Sequence, residues 1–395
     1  MPPAFAFAGR VVASLVLAAA ALVAQRTWIV GNPPGVDFWA LQTAVDTAQS
    51  GDTIIVRSRI GGFKAPTISK PLTLIGEGRP LIVSHSGRRG RITTVIHDTQ
   101  DAEPGAVFTM RGFGFESFTL PVKNRPLPFT YLTLSNLEWR VHLEDLRALP
   151  PPPNGSDRAR VFGIDIRDCR NVIAKNIHAG LGISVLRSKL TISSGTATGH
   201  LFYKGLKGPP WPTPGVQAIG SDLTLAGMVC ISGGTPYGAC GLSATSSTVR
   251  VQHPGTYDNG VCGDAKSSLA IDPRVVGSPR FFGKVITRRM PTLLAARSSG
   301  PAVDVTIHSS SGHVFALFSG PLGRPWQFPS LGEVWLDPRT FHLVAIGIQN
   351  VKSSTTVALR LPRPGLLRGL PLGFQAMSGT TASLSLTNPL LVVLD

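Results

Sequence analysis

Acidic side chains are scarce in this sequence. Of 395 residues, only 22 are Asp or Glu, against 38 Lys and Arg. Hydrolysis of a glycosidic bond needs two converging carboxyl groups, and calcium sites need several oxygen ligands. The scarcity argues against a site of clustered carboxylates and favours a role without catalysis. It also leaves a formal net charge of +16, which predicts attraction to polyanions.

Common catalytic and cofactor signatures are missing as well. The sequence contains no Gly-x-Ser-x-Gly, no His-Glu-x-x-His and no Walker loop, so serine hydrolase, zinc protease and nucleotide-binding functions have no support. No recognition helix or ribonucleoprotein motif is present, so nucleic acid is not the expected polyanion. The cysteines lack the paired spacing of a zinc site. We therefore expect neither a metal nor a cofactor.

Long apolar runs are confined to the N-terminus. Residues 11–23 form an alanine-rich run of 13 residues that follows a single charge, Arg10. Such a run is short for a bilayer span and typical of a signal-peptide core. We expect residues 1–24 to be a cleaved signal peptide, so that the mature protein is exported to the periplasm, cell surface or medium without a membrane span. An uncleaved anchor is the alternative.

Residues 38–78 change their hydrophobic period partway along. A stripe at spacings of three and four residues predicts a short amphipathic helix, with Asp37 as its N-cap and Gly51 at its end. Two β-branched runs, residues 53–56 and 70–75, then predict short strands. The apolar stripe comprises Phe38, Leu41, Ala44, Val45 and Ala48.

These residues resemble the opening segment of right-handed parallel β-helix proteins of the pectin-lyase-like superfamily. The matching stretches are LQTAV (41–45), GDTIIV (51–56) and KPLTLIGEG (70–78). The family's usual Gly-Thr-Tyr after the first strand is replaced by residues 57–63. The resemblance implies an all-β solenoid whose open end is covered by the helix, and it identifies a scaffold rather than a reaction.

Short polar turns then recur, each followed by Leu or Val. They begin 18 to 35 residues apart, which suits β-coils with loops of varying length. We predict a β-helix over residues 25–272, a connection over 273–302, and a small antiparallel β-sandwich over 303–395. The aligned turns are Ser135-Asn136-Leu137, Arg170-Asn171-Val172, Ser188-Lys189-Leu190, Ser221-Asp222-Leu223, Ser247-Thr248-Val249 and Ser267-Ser268-Leu269.

Four cysteines in an exported chain suggest disulfides. In a solenoid, coils lie about 4.8 Å apart, so Cys169 is too many coils from Cys262 to reach it and is expected to be unpaired. One bridge is expected among the other three. Cys230–Cys240 is the first choice and Cys240–Cys262 the second.

One group of side chains comes closest to an acid–base site. Asp165, Asp168 and His178 would lie about one coil apart in the expected register. We favour the alternative, in which an exposed acidic pair balances Arg167 and Arg170 and the histidine lies on the surface.

Seven side chains are candidates for binding a glycan. A stiff proline-rich stretch, residues 208–215, could hold an aromatic ring outward for stacking, and a basic turn, residues 84–91, could grip an anionic polymer. A ring packed on its own coil and a solvated turn are the alternatives. The seven are Tyr203, Lys204, Lys207 and Trp211 at the first place and Arg88, Arg89 and Arg91 at the second.

We therefore expect an exported, non-catalytic β-helix protein that binds acidic polysaccharide or has a structural role at the cell envelope. The alternative is a polysaccharide lyase or glycoside hydrolase acting on an acidic glycan. Three or more charged side chains converging in one groove of the solenoid would favour the enzyme.

Overall fold

A computed structural model describes the chain from Gln25 to Val393 with gaps. The described residues are 25–32, 34–87, 90–98, 106–118, 130–148, 162–199, 201–203, 210–231, 239–297, 302–328, 331–360, 371–380 and 382–393. Thr27–Met290 forms one compact unit, and Pro291–Asp395 belongs to a second.

The unit Thr27–Met290 consists almost wholly of short strands, because β-branched and apolar residues recur between turn residues. In chain order the strands are β1 (Thr27–Val30), β2 (Thr53–Arg57), β3 (Phe63–Lys64), β4 (Thr67–Ile68), β5 (Thr73–Glu77), β6 (Leu81–Gly87), β7 (Gly90–Ile92), β8 (Thr94–His97), β9 (Val107–Arg111), β10 (Gly114–Phe118), β11 (Leu132–Ser135), β12 (Arg140–Ala148), β13 (Ile164–Arg167), β14 (Asn171–Ala179), β15 (Ile183–Leu186), β16 (Lys189–Ile192), β17 (Gly195–Thr198), β18 (Leu201–Tyr203), β19 (Pro210–Pro212), β20 (Val216–Ile219), β21 (Asp222–Ala226), β22 (Met228–Ile231), β23 (Leu242–Thr245), β24 (Thr248–Gln252), β25 (Thr256–Tyr257), β26 (Val261–Gly263), β27 (Ser268–Ile271), β28 (Pro279–Phe281) and β29 (Lys284–Thr287).

Two long sheets account for nearly all of these strands. Sheet B contains one strand from each of nine successive coils, in the order β4, β8, β11, β13, β15, β20, β23, β26 and β28, and all of its pairings are parallel. Sheet A contains 18 strands, paired in parallel except for the hairpin of β6 and β7. The repeated parallel pairing of each coil with the next defines a parallel β-helix, as the sequence predicted.

The interior of the β-helix is filled by apolar side chains that stack in columns from coil to coil. In sheet B a single column of side chains, each at most 1% exposed, runs through six coils. Neighbours within such a column remove each other from water, which is the main source of stability for a stacked solenoid. The column is Leu132, Ile164, Ile183, Val216, Leu242 and Val261.

The predicted helix is present as α1 (Leu41–Thr47). Leu41, Ala44 and Val45 are buried and belong to the same core as the first coils, so the apolar stripe is confirmed. The expected cap is wrong: Ala40 is the N-cap, and the Asp37 carboxylate instead accepts a hydrogen bond from the Ile29 amide at 2.7 Å. No helix among the described residues is long and apolar enough to cross a bilayer.

The predicted Leu or Val lies in the core at all six polar turns, and the alignment of the turns is confirmed for the last five. The first alignment is wrong, because Asn171 pairs with Arg140 rather than with Asn136. Ser135 instead pairs with Arg167, and the four residues 136–139 that connect β11 to β12 correspond to the three residues 168–170 that connect β13 to β14. The five core residues in the confirmed alignment are Val172, Leu190, Leu223, Val249 and Leu269.

Serine hydroxyls connect successive coils at this turn. The Ser188 hydroxyl accepts a hydrogen bond from the Cys169 amide at 3.0 Å, and Ser221 accepts from the Ser188 amide at 3.2 Å. Ser247 accepts from the Ser221 amide at 3.1 Å, and Ser267 from the Ser247 amide at 3.1 Å. Serine recurs at these turns because each buried amide, facing a corner rather than a strand, needs an acceptor.

Removing one of the serine hydroxyls that connect successive coils should destabilise the β-helix. We expect Ser221→Ala to lower the free energy of unfolding by about 1–3 kcal/mol, because the buried Ser188 amide loses its acceptor and the bond from Ser221 to the Ile219 carbonyl, 2.8 Å, is lost. Denaturant unfolding measures the change. The control is Ser268→Ala, since the Ser268 hydroxyl makes an exposed bond to Thr248. Equal effects of the two substitutions would contradict a stabilising role of the buried serine hydroxyls.

The disulfide joins Cys240 to Cys262, so the first-choice pairing of Cys230 with Cys240 is wrong and the second choice is found. The physical reason is the register: β23 and β26 are neighbours in sheet B, which brings the two Cα atoms within 5.9 Å. Cys230 lies instead on β22 of sheet A, in the core. Cys169 and Cys230 are buried free thiols, and burial raises the pKa of Cys169 to about 12.

The second unit is an antiparallel β-sandwich. Leu293, Val305, Phe315 and Phe374, contributed by two sheets, share one apolar core. The sheets are β30-β31-β36 and β35-β32-β37-β38 with β39 paired to β37, beside a hairpin of β33 and β34. The strands are β30 (Thr292–Arg297), β31 (Ala302–His308), β32 (Val314–Gly320), β33 (Leu322–Phe328), β34 (Gly332–Leu336), β35 (His342–Ile348), β36 (Ser354–Arg360), β37 (Pro371–Thr380), β38 (Ser383–Leu386) and β39 (Leu390–Val393).

The boundary between the two units differs from the predicted one. Residues 273–302, expected to be a connection, contain β28 and β29 of the solenoid and β30 of the sandwich. Proline, arginine and serine in this stretch obscured the coil pattern, because every position of these last coil strands is exposed or partly exposed. The parallel pairing therefore continues past Asp272.

Candidate functional site

A row of polar side chains crosses sheet A at one corner of the β-helix. We call it the corner strip: Arg79, Asp145, Arg147, Asn176, His178 and Thr196. Residues 147, 178 and 196 occupy equivalent positions on β12, β14 and β17. The strip covers four of five successive coils, a span of about 19 Å at about 4.8 Å per coil.

Backbone geometry at the corner explains which residues are found there. Asp145 and Asn176 have φ of 53° and 52°, the left-handed region that Asp and Asn adopt more readily than other side chains. Gly112 takes the same place one coil earlier with φ 77°. Without side chains at Gly112 and Gly114, Arg79 reaches across this coil to Asp145, its Nη2 lying 3.3 Å from Oδ2.

Hydrogen bonds join the strip into a chain. Asn176 Nδ2 donates to Asp145 Oδ1 at 2.7 Å, and the Asn176 Oδ1 atom lies 2.9 Å from His178 Nε2. Since an amide oxygen only accepts, His178 Nε2 carries the proton, and Nδ1 accepts from the Thr196 hydroxyl at 2.9 Å. The side chains of the strip other than Arg147 are therefore held in fixed positions.

The strip carries a positive potential. Partial burial lowers the pKa of His178, and the charges of Arg147 and Arg79 lower it further against the opposite influence of Asp145. His178 is thus neutral at pH 7. With Arg79 38% exposed and Arg147 exposed, two guanidinium groups remain within reach of a ligand.

A second polar group lies beside the strip on the same sheet. We call it the charged cluster: Arg111, His142, Glu144 and Lys175. Their strands are neighbours, with Glu144 directly opposite both Arg111 and Lys175. Val141 and Leu143 belong to the core, so the alternation along a strand directs His142 and Glu144 away from it. All four side chains are nevertheless largely buried.

Glu144 is at the centre of the charged cluster. Its Oε1 atom lies 3.3 Å from Lys175 Nζ and 4.0 Å from Arg111 Nε, and its Oε2 atom lies 3.9 Å from His142 Nε2. Burial lowers the pKa of His142 to about 4, outweighing the attraction of Glu144, and Lys175 and Arg111 lower it further. Among the described residues, neither imidazole nitrogen has a hydrogen-bond partner.

The two groups differ in what they can do chemically. The corner strip offers two accessible cations and a row of fixed hydrogen-bonding groups, which suit binding of a polyanion. The charged cluster brings together three charged side chains and a neutral imidazole, the convergence that favours an enzyme, but burial separates it from solvent. No group of three or more His, Cys, Asp or Glu among the described residues could hold a metal ion.

The three predicted acid–base residues are not brought together. Asp165 is buried in sheet B and pairs with Arg167, while Asp168 binds Arg187 through two bonds of 2.7 and 2.8 Å. His178 lies in sheet A, bonded to the corner strip. The favoured alternative is also wrong in detail, because Asp165 is not exposed. Arg170 pairs with Glu138 rather than with an aspartate.

The seven predicted glycan-binding residues remain predictions. Lys204, Lys207, Arg88 and Arg89 lie outside the described residues. For Tyr203, Trp211 and Arg91 the structure describes only the backbone: the first two belong to the hairpin of β18 and β19, and Arg91 to β7.

Sequence reasoning missed the charged cluster and all of the strip except His178. A usable signal was present: RVHLEDLRA of β12 and NVIAKNIHA of β14 have the same length and the same alternation. Aligning them would have placed Glu144 beside Lys175. The misaligned turn at Asn136 concealed this match.

The two long sheets of parallel strands define this chain as a parallel β-helix protein. No family model and no curated protein sequence matches it. One similar solved structure is the enzymatically active domain of tailspike protein 2 from bacteriophage CBA120, at 10% identity and a TM-score of 0.27, covering 86% of this chain and 70% of that one. Another is full-length tailspike protein 2 from an Escherichia coli O157:H7 bacteriophage, at 9% identity and a TM-score of 0.29, covering 90% and 61%. Similarities this low support no argument about function.

Proposed function

We propose that this protein binds an acidic polysaccharide outside the cytoplasm without cleaving it, and that the corner strip is the binding surface. The observation that supports the proposal is a partly exposed row of hydrogen-bonded side chains with two arginines, Arg79 and Arg147, that lie two coils apart. The structure does not describe residues 1–24, the expected signal peptide. Export is therefore part of the proposal.

The strip suits a linear anionic polymer for physical reasons. A guanidinium group binds a carboxylate through two parallel hydrogen bonds, and Arg147 and Arg79 provide two such groups. Asn176 and Thr196 add amide and hydroxyl groups that can meet sugar hydroxyls. Because Asp145 is already bonded to Arg79 and Asn176, its charge is partly neutralised. The chain's net charge of +16 adds long-range attraction.

Replacing an arginine of the strip should weaken binding. We expect Arg147→Gln to reduce affinity for the preferred acidic polysaccharide about tenfold, the loss of one charge-assisted hydrogen-bonded contact. Calorimetry with polygalacturonate, alginate, heparin and neutral dextran, at low and high salt, measures the change. Binding to the acidic polymers should also weaken as salt rises.

Arg187→Gln is the matched control. It removes the same charge from a partly exposed arginine that pairs with Asp168 at a turn following a sheet B strand. Equal losses from the two substitutions would mean that net charge alone matters, and would contradict a site at the strip. Absence of binding by the unaltered protein would contradict the proposed function itself.

Cleavage of the bound glycan is a second candidate function, favoured by one observation. Arg111, Glu144 and Lys175 converge beside a neutral imidazole, which could accept a proton while the cations stabilise a negative charge. Incubation with the same polymers, with and without Ca²⁺, would reveal unsaturated products or new reducing ends. Turnover that Glu144→Gln abolishes would replace the non-catalytic proposal with this one.

A further inference from the structure

The N-terminal end of the β-helix presents two large apolar side chains to solvent. Trp39, just before α1, is 67% exposed, and Ile60, in the loop between β2 and β3, is fully exposed. Neither belongs to the corner strip. Single exposed apolar residues are common on protein surfaces, so exposure alone carries little meaning. What distinguishes Trp39 is that it is exposed and held in place at the same time.

Three contacts fix the tryptophan. Its indole Nε1 donates to Asn32 Oδ1 at 3.2 Å, and its carbonyl accepts from Arg59 Nη1 at 2.7 Å. The Arg59 guanidinium carbon also lies 5.5 Å from the centroid of the indole, a cation–π contact. The side chain is therefore oriented without being buried.

Arg59 is itself anchored. Its Nε donates to the Gly62 carbonyl at 2.8 Å, and its guanidinium carbon lies 4.0 Å from the centroid of the Phe63 ring, which is buried. Gly61 and Gly62 have φ of 79° and 65°, a left-handed turn that side chains rarely adopt, and this turn returns the loop to the core at Phe63. Trp39 and Arg59 are thus anchored on the core of the first coils.

We propose that Trp39, Asn32 and Arg59 form a second carbohydrate site, which binds one charged pyranose ring of the acidic polysaccharide. This inference rests on the proposed function and names a further place where the same polymer is held. The open area of the indole meets the C–H face of the sugar, and Ile60 extends the apolar surface. The Asn32 amide is available to a sugar hydroxyl, and Arg59 supplies positive charge beside the ring.

Rigidity and composition favour a sugar over a bilayer. An exposed ring that is already oriented loses little conformational freedom on binding, which is how aromatic anchors gain affinity. Membrane-surface attachment instead uses a continuous apolar face with a rim of many cations. Here the apolar part is two side chains, and the neighbouring groups are an amide and a guanidinium that is held by carbonyls.

The test uses the full chain and two substitutions at one position. We expect Trp39→Ala to weaken binding of the preferred acidic polysaccharide about tenfold, and Trp39→Phe, which keeps a flat ring, to restore most of it. The change in tryptophan fluorescence on adding the polymer should decrease in both variants. Phe282→Ala is the matched control, since Phe282 is 88% exposed in the loop between β28 and β29 and should not matter.

The outcomes separate this inference from the function on which it rests. If Arg147→Gln weakens polysaccharide binding and Trp39→Ala does not change it, the second site is overturned and the corner strip remains supported as the binding surface. No binding of any polymer by the unaltered protein would overturn both. Attachment to vesicles of anionic phospholipid that requires Trp39, without a Trp39 effect on polysaccharide binding, would assign the surface to lipid and overturn the inference.

Discussion

Lowering the pH from 7 to 4 should destabilise the β-helix through His142. In the folded protein the pKa of this imidazole is about 4, because burial disfavours its charged form, while in the unfolded chain it is near 6.5. Above pH 6.5 the imidazole is neutral in both states. Between pH 6.5 and 4 only the unfolded state takes up the proton, so stability falls as pH falls, by up to about 1.4 kcal/mol per pH unit and on the order of 3 kcal/mol in total.

A comparison with His142→Gln isolates this contribution from other titrating groups. The variant cannot titrate at this position, so its unfolding free energy should depend less on pH over the same range. Denaturant unfolding of both proteins at intervals from pH 7.5 to 4 gives the two slopes. His178→Gln is the control, because His178 is only partly buried and should change the slope less. Parallel curves for the unaltered protein and His142→Gln would show that His142 is not held neutral.

Removing the carboxylate at the centre of the charged cluster should have the largest effect on stability at neutral pH. Glu144→Ala deprives the buried Lys175 ammonium of an ion pair at 3.3 Å and Arg111 of a nearby negative charge. Breaking a buried ion pair from one side typically costs 3–5 kcal/mol, since the remaining charge stays away from water, so we expect a loss of about 3–5 kcal/mol. Denaturant unfolding at pH 7 measures it.

Two further substitutions test the physical reason. Glu138→Ala removes an exposed ion pair with Arg170, whose side chains are 61% and 68% exposed, and should cost at most about 1 kcal/mol. The double substitution Glu144→Leu with Lys175→Met removes both members of the buried pair and should cost less than Glu144→Ala alone. If Glu144→Ala lowered the free energy of unfolding no more than Glu138→Ala does, the charges of the cluster would not be shielded from water.

Local patterns along the chain predicted the scaffold. The stripe of Leu41, Ala44 and Val45 indicated α1, and the recurring turn before Leu190, Leu223, Val249 and Leu269 indicated the coils. The helix depends on spacing within about ten residues and each turn is a motif of three residues, and local alternation decides which side chains face the core. A local pattern of this kind is visible in one sequence without knowledge of its neighbours in space.

The polar groups on the outer face of sheet A required knowledge of the register. Glu144 and Lys175 are 31 residues apart, and they meet because β12 pairs with β14. The length of each intervening loop sets that register, and it varies from coil to coil. One misjudged connection near Asn136 was enough to conceal the charged cluster and most of the corner strip.

The sequence by itself determined the fold class, through its resemblance to the opening segment of parallel β-helix proteins. It also determined the first helix and the inward-facing residues of most coils, because these follow from periodicity and from turn residues. Only the tertiary structure decided the partner of Cys240, the separation of Asp165 from His178, and the meeting of Glu144 with Lys175. The physical reason is that a solenoid places residues one coil apart within about 5 Å of each other, whatever length of chain separates them.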